Sequence, residues 1–234
     1  MKAIILAGGK GVRLRPYTFI FPKPLMPIDN YPILEIVIRQ LKKSGFNDIN
    51  LCVGHLANLI RAYFESVNNL GVKIRYSEEK APLGTAGPLS LVEDLSDDFL
   101  VMNGDLLTDL DYKDLFANHL KSKSIATIAI CKRVVPISLG IIKLNQSNNV
   151  VDYIEKPNLN HYVSMGIYVF NRDILNYIKH DEFLNLPDLI KNLISKKENI
   201  NSYIFKGIWL DIGRVEDYSE AIEIFKKNQK QFIG

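Results

Sequence analysis

The chain has 234 residues, of which 47% are hydrophobic and 24% are charged, and 29 basic against 26 acidic residues give a formal charge of +3. This length and hydrophobic content suffice for a sizeable core and predict one globular domain over residues 1–234. The charges are spread along the chain, which argues against a basic arm that binds nucleic acid, and the two cysteines lie in strand-like apolar stretches, which argues against a disulfide framework.

The first half of the sequence alternates strand-like and helix-like segments. Residues 2–7 form an apolar run that ends at two glycines, as expected of a parallel strand covered on both faces. This run is too short for a signal-peptide core, and no run approaches the roughly 18 residues that span a bilayer, so we expect a soluble, cytoplasmic protein without membrane association. Further strands are predicted over 49–54, 72–78 and 98–105, and helices over 31–46, 56–67 and 87–95. Such alternation predicts a parallel sheet with helices on both faces.

The second half is less regular. Residues 124–133, 139–145, 150–157 and 163–171 resemble strands separated by short turns, which predicts an antiparallel or mixed insertion in the same sheet. Helices are predicted over 172–179 and 186–195, a pair of strands over 200–213, and an amphipathic closing helix over 215–232.

The loop after the first strand reads "GGKGVR". It lacks the lysine and hydroxyl pattern of a P-loop, and Leu14 stands where a dinucleotide fingerprint needs its third glycine. The remaining interpretation is a glycine loop at the carboxyl edge of a sheet, whose backbone N–H groups are open to a base or phosphate. Four cations lie nearby in the sequence: Lys10, Arg13, Arg15 and Lys23. A tight turn with solvated cations is the alternative, but prolines on both sides of Lys23 limit where its amine can point, which favours a polyphosphate ligand.

Two aspartates follow apolar runs, so Asp105 and Asp211 should each emerge at a strand end. Alone, either could be a helix cap or a turn residue. The neighbouring Asp109 and Asp111 are assigned to a helix start, and Glu155 with Lys156 could be a solvated ion pair on a strand. The four histidines lack metal-ligand spacing and the neighbours of a catalytic triad, so the sequence offers no convincing protein nucleophile.

Residues 6–28, "LAGGKGVRLRPYTFIFPKPLMPI", resemble the signature of the sugar-1-phosphate nucleotidylyltransferases, also called NDP-sugar pyrophosphorylases. The similarity continues in family order through "PLGTAGPL", "VMNGD", "LGIIKL", "IEKP", "MGIYVF" and "WLDIGRVEDY". It implies a Rossmann-like, three-layer α/β/α fold with a mixed, mainly parallel sheet, of the glycosyltransferase-A-like type. It also implies attack of a sugar-1-phosphate oxygen on the α-phosphorus of a nucleoside triphosphate, with release of pyrophosphate.

The resemblance assigns roles to particular residues. Asp105 and Asp211 resemble the aspartates that hold Mg²⁺ against the α-phosphate, Arg13 the clamp on the β- and γ-phosphates, and Lys23 a cation near the reacting phosphates. The residues implied to bind the nucleotide are Leu6, Gly8, Gly9, Gly11, Arg13, Glu79 and Gly84, and those implied to bind the sugar phosphate are Gly140, Glu155, Lys156, Gly166 and Tyr168.

The base is expected to be guanine, because Glu79 stands where relatives that use UTP or dTTP often carry glutamine, and a carboxylate accepts from both N1–H and the exocyclic amine of guanine. Mannose-1-phosphate is the default acceptor, with heptose- or hexosamine-1-phosphate as alternatives, for cell-surface polysaccharide synthesis. A uridylyl- or thymidylyltransferase acting on a glucose-type phosphate, and a sugar-nucleotide sensor without catalysis, are rival interpretations. We expect a monomer or homodimer without the C-terminal β-helix of many relatives, because the chain lacks hexapeptide repeats.

Overall fold

A computed structural model of the protein describes residues 1–67 and 70–233. Its strands, in chain order, are β1 (Lys2–Leu6), β2 (Pro27–Ile28), β3 (Tyr31–Pro32), β4 (Asp48–Val53), β5 (Lys73–Glu78), β6 (Asp98–Asn103), β7 (Leu106–Thr108), β8 (Ala126–Pro136), β9 (Ile141–Leu144), β10 (Val150–Ile154), β11 (Asn158–Asn171), β12 (Ile200–Phe205) and β13 (Trp209–Asp211). Its α-helices are α1 (Ile33–Lys43), α2 (Ala57–Ser66), α3 (Tyr112–Ser122), α4 (Leu186–Ser195) and α5 (Val215–Ile233), and 3-10 turns cover Val12–Leu14, Tyr17–Phe19, Lys23–Leu25, Gly87–Leu91 and Arg172–Tyr177.

Seven strands form the central sheet in the order β12-β8-β11-β6-β1-β4-β5. Only β11 runs antiparallel to its neighbours β6 and β8, whereas the other pairs are parallel. The prediction of a mixed, mainly parallel sheet is therefore confirmed. The carboxyl ends of β1, β4, β5 and β6 meet at one edge, where α/β sheets usually bind their ligands.

The sheet separates two apolar clusters. Ala3 and Ile5 of β1 belong to one cluster, together with residues of α1, α2 and α3. Ile4 belongs to the other cluster, together with residues of α4 and of the two longer 3-10 turns. A third cluster packs α5 against α1 and the short strands near the sheet edge. This alternation of side chains explains why β1 reads as a continuous apolar run.

Two predicted helices differ from the structure. Residues 87–95 contain only the 3-10 turn Gly87–Leu91, because the chain becomes extended at Val92 and the Lys2 Nζ takes the carbonyls of Glu93 and Asp94, at 2.9 and 2.6 Å. The segment predicted over 172–179 is the 3-10 turn Arg172–Tyr177, which ends where Ile178 becomes extended.

Three other predictions also need correction. Strands β9 and β10 pair only with each other, so they form a separate hairpin and not an insertion in the central sheet. The strands predicted over 200–213 do not pair together, since β12 joins β8 and β13 joins β7. Asp111 does cap α3, accepting from two backbone N–H groups, but Asp109 instead accepts from the N–H of Ile208 at 2.6 Å.

The closing helix α5 matches its prediction closely, although its backbone breaks at Asn228. Within the described residues, no helix has both the length and the apolar character needed to cross a bilayer.

Candidate active site

A cleft of about 720 Å³ opens at the carboxyl edge of the sheet. The end of β1 contributes Leu6 and the loop after it contributes Gly8 and Gly9, which were all predicted to face a nucleotide, and Lys10 lies beside them. Glu79 and Gly84, from the loop after β5, line the same cleft. Five of the predicted nucleotide-binding residues therefore share one cavity.

The Glu79 carboxylate lies directly over two glycines. A Cβ atom added to Gly8 would come within 2.5 Å of Glu79 Oε1, and one added to Gly54 within 2.6 Å of the same atom. The other carboxylate oxygen, Oε2, accepts the backbone N–H of Leu83 at 2.9 Å. Bare backbone at Gly8 and Gly54 is what lets this carboxylate stand in the cleft, and the bond from Leu83 fixes its orientation.

Of the charged groups predicted for the phosphates, two line the cleft and two stand beside it. Lys23 and Asp105 both line it, and the Lys23 Nζ donates a short hydrogen bond to Asp105 Oδ2. Pairing of β13 with β7 brings Asp211 opposite Leu106, and the N–H of Ile212 donates to the Asp105 carbonyl at 3.1 Å. Asp105 and Asp211 are more than one hundred residues apart in the chain, and the pairing of two three-residue strands brings them together.

Arg13 reaches this cluster from the loop after β1. Its guanidinium packs on Gly213, where an added Cβ would lie 3.2 Å from Nη2. Partial burial and the nearby Asp105 carboxylate raise the pKa of Asp211 above its ordinary value, while the positive charges of Lys23 and Arg13 oppose that rise. The four residues therefore interact electrostatically. Arg13, Asp211 and Gly11 stand beside the cleft and are not among the residues that line it.

The carboxylates of Asp105 and Asp211 have the chemistry of a magnesium site. Asp105 Oδ1 is buried and has no hydrogen-bond partner among the described residues, so it is an acceptor still to be satisfied. The described part of the chain contains no group of three or more His, Cys, Asp or Glu side chains that could hold a metal by itself. Mg²⁺ commonly binds through one or two carboxylates and completes its shell with substrate phosphates and water. Two carboxylates with one orphan oxygen fit that mode.

A second cavity of about 340 Å³ adjoins the first and shares Thr85 and Asn103 with it. Tyr168 lines this second cavity, and its hydroxyl is hydrogen-bonded to Ser164 Oγ at 2.9 Å. Gly166 lies at the bulge in β11 with a φ of +71°, and a Cβ there would come within 2.6 Å of Asn103 Nδ2. Two of the predicted sugar-binding residues, Gly166 and Tyr168, therefore lie beside Asn103, which also lines the cleft.

The other three predicted sugar-binding residues lie on or beside the β9–β10 hairpin. Glu155 and Lys156 are exposed, and their charged groups are 3.7 Å apart. The Tyr153 hydroxyl donates to Glu155 Oε2 at 2.9 Å, and a Cβ on Gly140 would clash with that hydroxyl. None of these residues lines either cavity in the described part of the chain. The structure does not bring this group into contact with the cleft.

Sequence reasoning missed several residues that line the cleft. Asn103 is the most informative, because it borders both cavities and supports Gly166. Its position two residues before Asp105, at the end of a strand, is a signal that could have identified it. Gly54 and His55 also line the cleft, after β4, the second strand in the chain to end at this edge. A carboxyl-end position in a parallel sheet predicts proximity to the ligand for all three residues.

Comparison with known proteins gives a consistent result. Residues 2–228 match the family described as nucleotidyl transferase. The chain is 34% identical to a mannose-1-phosphate guanylyltransferase catalytic subunit beta from Dictyostelium discoideum, over 98% of this chain and 66% of that protein. It is 35% identical to a UTP–glucose-1-phosphate uridylyltransferase from Synechocystis, over 95% of this chain and 62% of that protein. The chain thus spans somewhat less than two thirds of the length of these relatives.

A solved structure covers almost the same length. The crystal structure of HddC from Yersinia pseudotuberculosis complexed with GMP-PN aligns with a TM-score of 0.74 and 26% identity, over 96% of this chain and 99% of that one. The cleft and its charged end therefore belong to a fold that also occurs in a protein of nearly equal length.

Proposed function

Because the chain belongs to the nucleotidyl transferase family, we propose that it joins a nucleoside triphosphate to a sugar-1-phosphate and releases pyrophosphate. The observation that carries this proposal is the cluster of Lys23, Arg13, Asp105 and Asp211 at the end of a glycine-lined cleft. Such a cluster suits the neutralisation of transferring phosphoryl groups, which needs positioning and charge more than a protein nucleophile.

The chemical step needs no covalent bond to the protein. An oxygen of the sugar phosphate attacks the α-phosphorus, the bond between the α-phosphorus and its bridging oxygen breaks, and the electron pair leaves with pyrophosphate. Lys23 lies on the cleft wall, only 8% exposed, where its charge can stabilise the phosphates in the transition state. Arg13 is placed to hold the leaving pyrophosphate.

Asp105 and Asp211 are the residues that would hold Mg²⁺, with the unpartnered Asp105 Oδ1 as one ligand. When bound, the metal would neutralise charge on the α-phosphate. The two carboxylates would position the metal. In the absence of substrate, the Lys23 ammonium limits the repulsion between the two carboxylates.

We propose guanine as the base. The free Glu79 Oε1 faces the cleft over Gly8 and Gly54, where it can accept from the N1–H and amine edge of guanine. Uracil and thymine present carbonyl acceptors on the corresponding edge, which a carboxylate disfavours. The similarity to a mannose-1-phosphate guanylyltransferase and to a structure that contains a guanine nucleotide supports this choice.

The sugar is proposed to occupy the 340 Å³ cavity, next to Gly166 and Tyr168. Glu155 and Lys156 would then reach the sugar and its phosphate from the hairpin, on substrate binding. Mannose-1-phosphate is the default acceptor, and heptose- and hexosamine-1-phosphates are its alternatives. Residues 1–234 are proposed to act as one cytoplasmic domain.

A second candidate is uridylyl transfer to glucose-1-phosphate. It is favoured by the 35% identity to the Synechocystis uridylyltransferase, which is as high as the identity to the guanylyltransferase. Glu79 supports the guanine candidate, since a carboxylate disfavours the carbonyl edge of uracil.

Pyrophosphate release from a matrix of nucleoside triphosphates and sugar-1-phosphates tests both candidates. We expect release with GTP and mannose-1-phosphate, dependent on Mg²⁺, and none above background with the Asp211→Asn variant. Release with UTP and glucose-1-phosphate alone would establish the second candidate. Binding of nucleotide without release for any pair would identify a sensor and overturn the enzymatic proposal.

A further inference from the structure

One wall of the cleft carries an aromatic side chain that has no role in the chemical step described above. Phe183 is 63% exposed, and it is the only phenylalanine, tyrosine or tryptophan among the described residues that line the cleft. It belongs to residues 178–185, which join the last 3-10 turn to α4 and are named here the Phe183 loop. A single exposed apolar residue needs no function by itself. Phe183 differs because its backbone is fixed against the wall of the cleft.

Backbone contacts hold the Phe183 loop to the segment that follows β5. The Leu184 N–H donates to the Leu83 carbonyl at 2.9 Å, and the Leu184 carbonyl accepts from the N–H of Gly87 at 3.0 Å. A Cβ added to Gly87 would come within 2.5 Å of the Glu182 carbonyl oxygen, so the two backbones lie in close contact. Both chain neighbours of Phe183 are therefore held, and little of the loop remains to be ordered when a ligand binds.

The same contacts connect Phe183 to the carboxylate proposed to recognise the base. Leu83, whose carbonyl accepts from Leu184, also donates its own N–H to Glu79 Oε2 at 2.9 Å. One residue thus anchors both the Phe183 loop and the Glu79 side chain, and both side chains line the same cleft. A base whose edge meets Glu79 keeps its two faces free for other contacts.

A phenyl ring suits the face of a base better than the other parts of the substrates. Aromatic side chains stack on bases, and this contact tolerates every base because each has a π face. The ring carries no charge that could attract a phosphate. The sugar is a poorer match, because the described residues that line the second cavity of about 340 Å³, proposed for the sugar, do not include Phe183.

We propose that Phe183 stacks on the base and raises the affinity for the nucleotide without selecting among bases. This inference rests on the proposed function, because it takes the cleft as the nucleotide site. Glu79 distinguishes bases by hydrogen bonds at the base edge, whereas Phe183 adds a contact common to all nucleoside triphosphates. Affinity and base selection are then carried by different side chains.

Isothermal titration calorimetry without a sugar-1-phosphate tests this division. Phe183→Ala should bind GTP and UTP more weakly by the same factor, roughly 5- to 150-fold, because both lose the stacking contact. Binding of inorganic tripolyphosphate, which has no base, should not change, and its persistence also shows that the variant is folded. Ile194→Ala is the matched control, because Ile194 is 62% exposed on α4, the helix after the Phe183 loop, and its replacement should leave all three affinities unchanged.

A Phe183→Trp variant gives a spectroscopic measurement of the same contact. The indole should retain most of the GTP affinity, and its fluorescence should fall when GTP binds but not when tripolyphosphate binds. The sequence contains one tryptophan, Trp209, so the wild type supplies the background signal. Ile194→Trp should show no fall beyond that background.

The possible failures of the inference and of the proposed function differ. Unchanged GTP affinity in Phe183→Ala, or Phe183→Trp fluorescence that does not respond to GTP, would remove the stacking role and leave the transferase proposal intact. A loss confined to one nucleotide would also overturn the inference, because it would make Phe183 a selector of bases. A wild type that binds neither GTP nor UTP would overturn the proposed function and this inference together.

Discussion

Replacing Glu79 by glutamine tests the base assignment, because the structure fixes how the new amide must stand. The N–H of Leu83 donates to Glu79 Oε2 at 2.9 Å, so the amide oxygen of Glu79→Gln takes that place. The amide nitrogen then occupies the position of Oε1, over Gly8 and Gly54 and facing the cleft. A donor then replaces an acceptor at the point where the proposed guanine base would present its N–H groups.

Transition-state stabilisation with GTP should weaken for two reasons. A charge-assisted hydrogen bond is lost, and the new amide donor, removed from water, faces an N–H donor of the base. Together they should cost about 2 to 3 kcal/mol, which is roughly a 30- to 150-fold fall in kcat/KM. The same variant should gain activity with UTP or dTTP, whose carbonyls can accept from the amide. Initial rates of pyrophosphate release with each nucleotide at saturating sugar-1-phosphate measure both changes.

Glu78→Gln is the matched control, since it makes the same substitution one residue away. Glu78 is ion-paired to Arg61 at 2.9 Å and does not line the cleft, so its replacement should leave the ratio of GTP to UTP activity unchanged. A wild-type enzyme that prefers UTP or dTTP, or glutamate variants that both change the ratio equally, would show that Glu79 does not select guanine.

Further predictions address the phosphate cluster, the cleft floor and the buried histidine. Asp105→Asn and Asp211→Asn should each remove most turnover without changing the far-UV circular dichroism, and the double variant should lose little more, as rate measurements on all three will show. Gly54→Ala should raise the KM for GTP by about tenfold or more, because its Cβ displaces the Glu79 carboxylate, while thermal unfolding remains cooperative. Burial lowers the pKa of His119, and the nearby Asp98 opposes that effect, so the unfolded chain binds the proton more readily than the folded one. The free energy of unfolding should therefore fall as the pH drops below about 6.5. Denaturant titrations should show a smaller decrease for His119→Gln than for the wild type.

Local sequence patterns were sufficient for most of the strands and for the long helices. They failed where distant residues compete for backbone groups. The segment 87–95 has apolar residues at helical spacing, yet the carbonyls of Glu93 and Asp94 bind the ammonium of Lys2. Lys2 is more than ninety residues away in the chain, so no window of sequence could reveal that competition.

The strand-end positions of the two aspartates were predictable from the sequence, but the way the strands bring them together was not. Apolar runs predicted that Asp105 and Asp211 would each end a strand, but the pairing of β7 with β13 involves only three residues on each strand. Such short strands carry too little periodicity to predict a partner. The position of the Glu79 carboxylate, proposed to read the base, also depends on Gly54, whose importance becomes visible only when that carboxylate is placed over it.

The balance of charge at the site explains why the cluster can exist without substrate and why the proposed reaction would need one more cation. Lys23 and Arg13 together match the two carboxylates of Asp105 and Asp211, so the four side chains are close to neutral as a group. A nucleoside triphosphate adds about four negative charges, and the exposed Lys10 beside the cleft offsets only one of them. Charge brought into a partly buried site without compensation is costly. A divalent cation that binds with the nucleotide would supply the missing charge, and the orphan Asp105 Oδ1 would be an acceptor available to it.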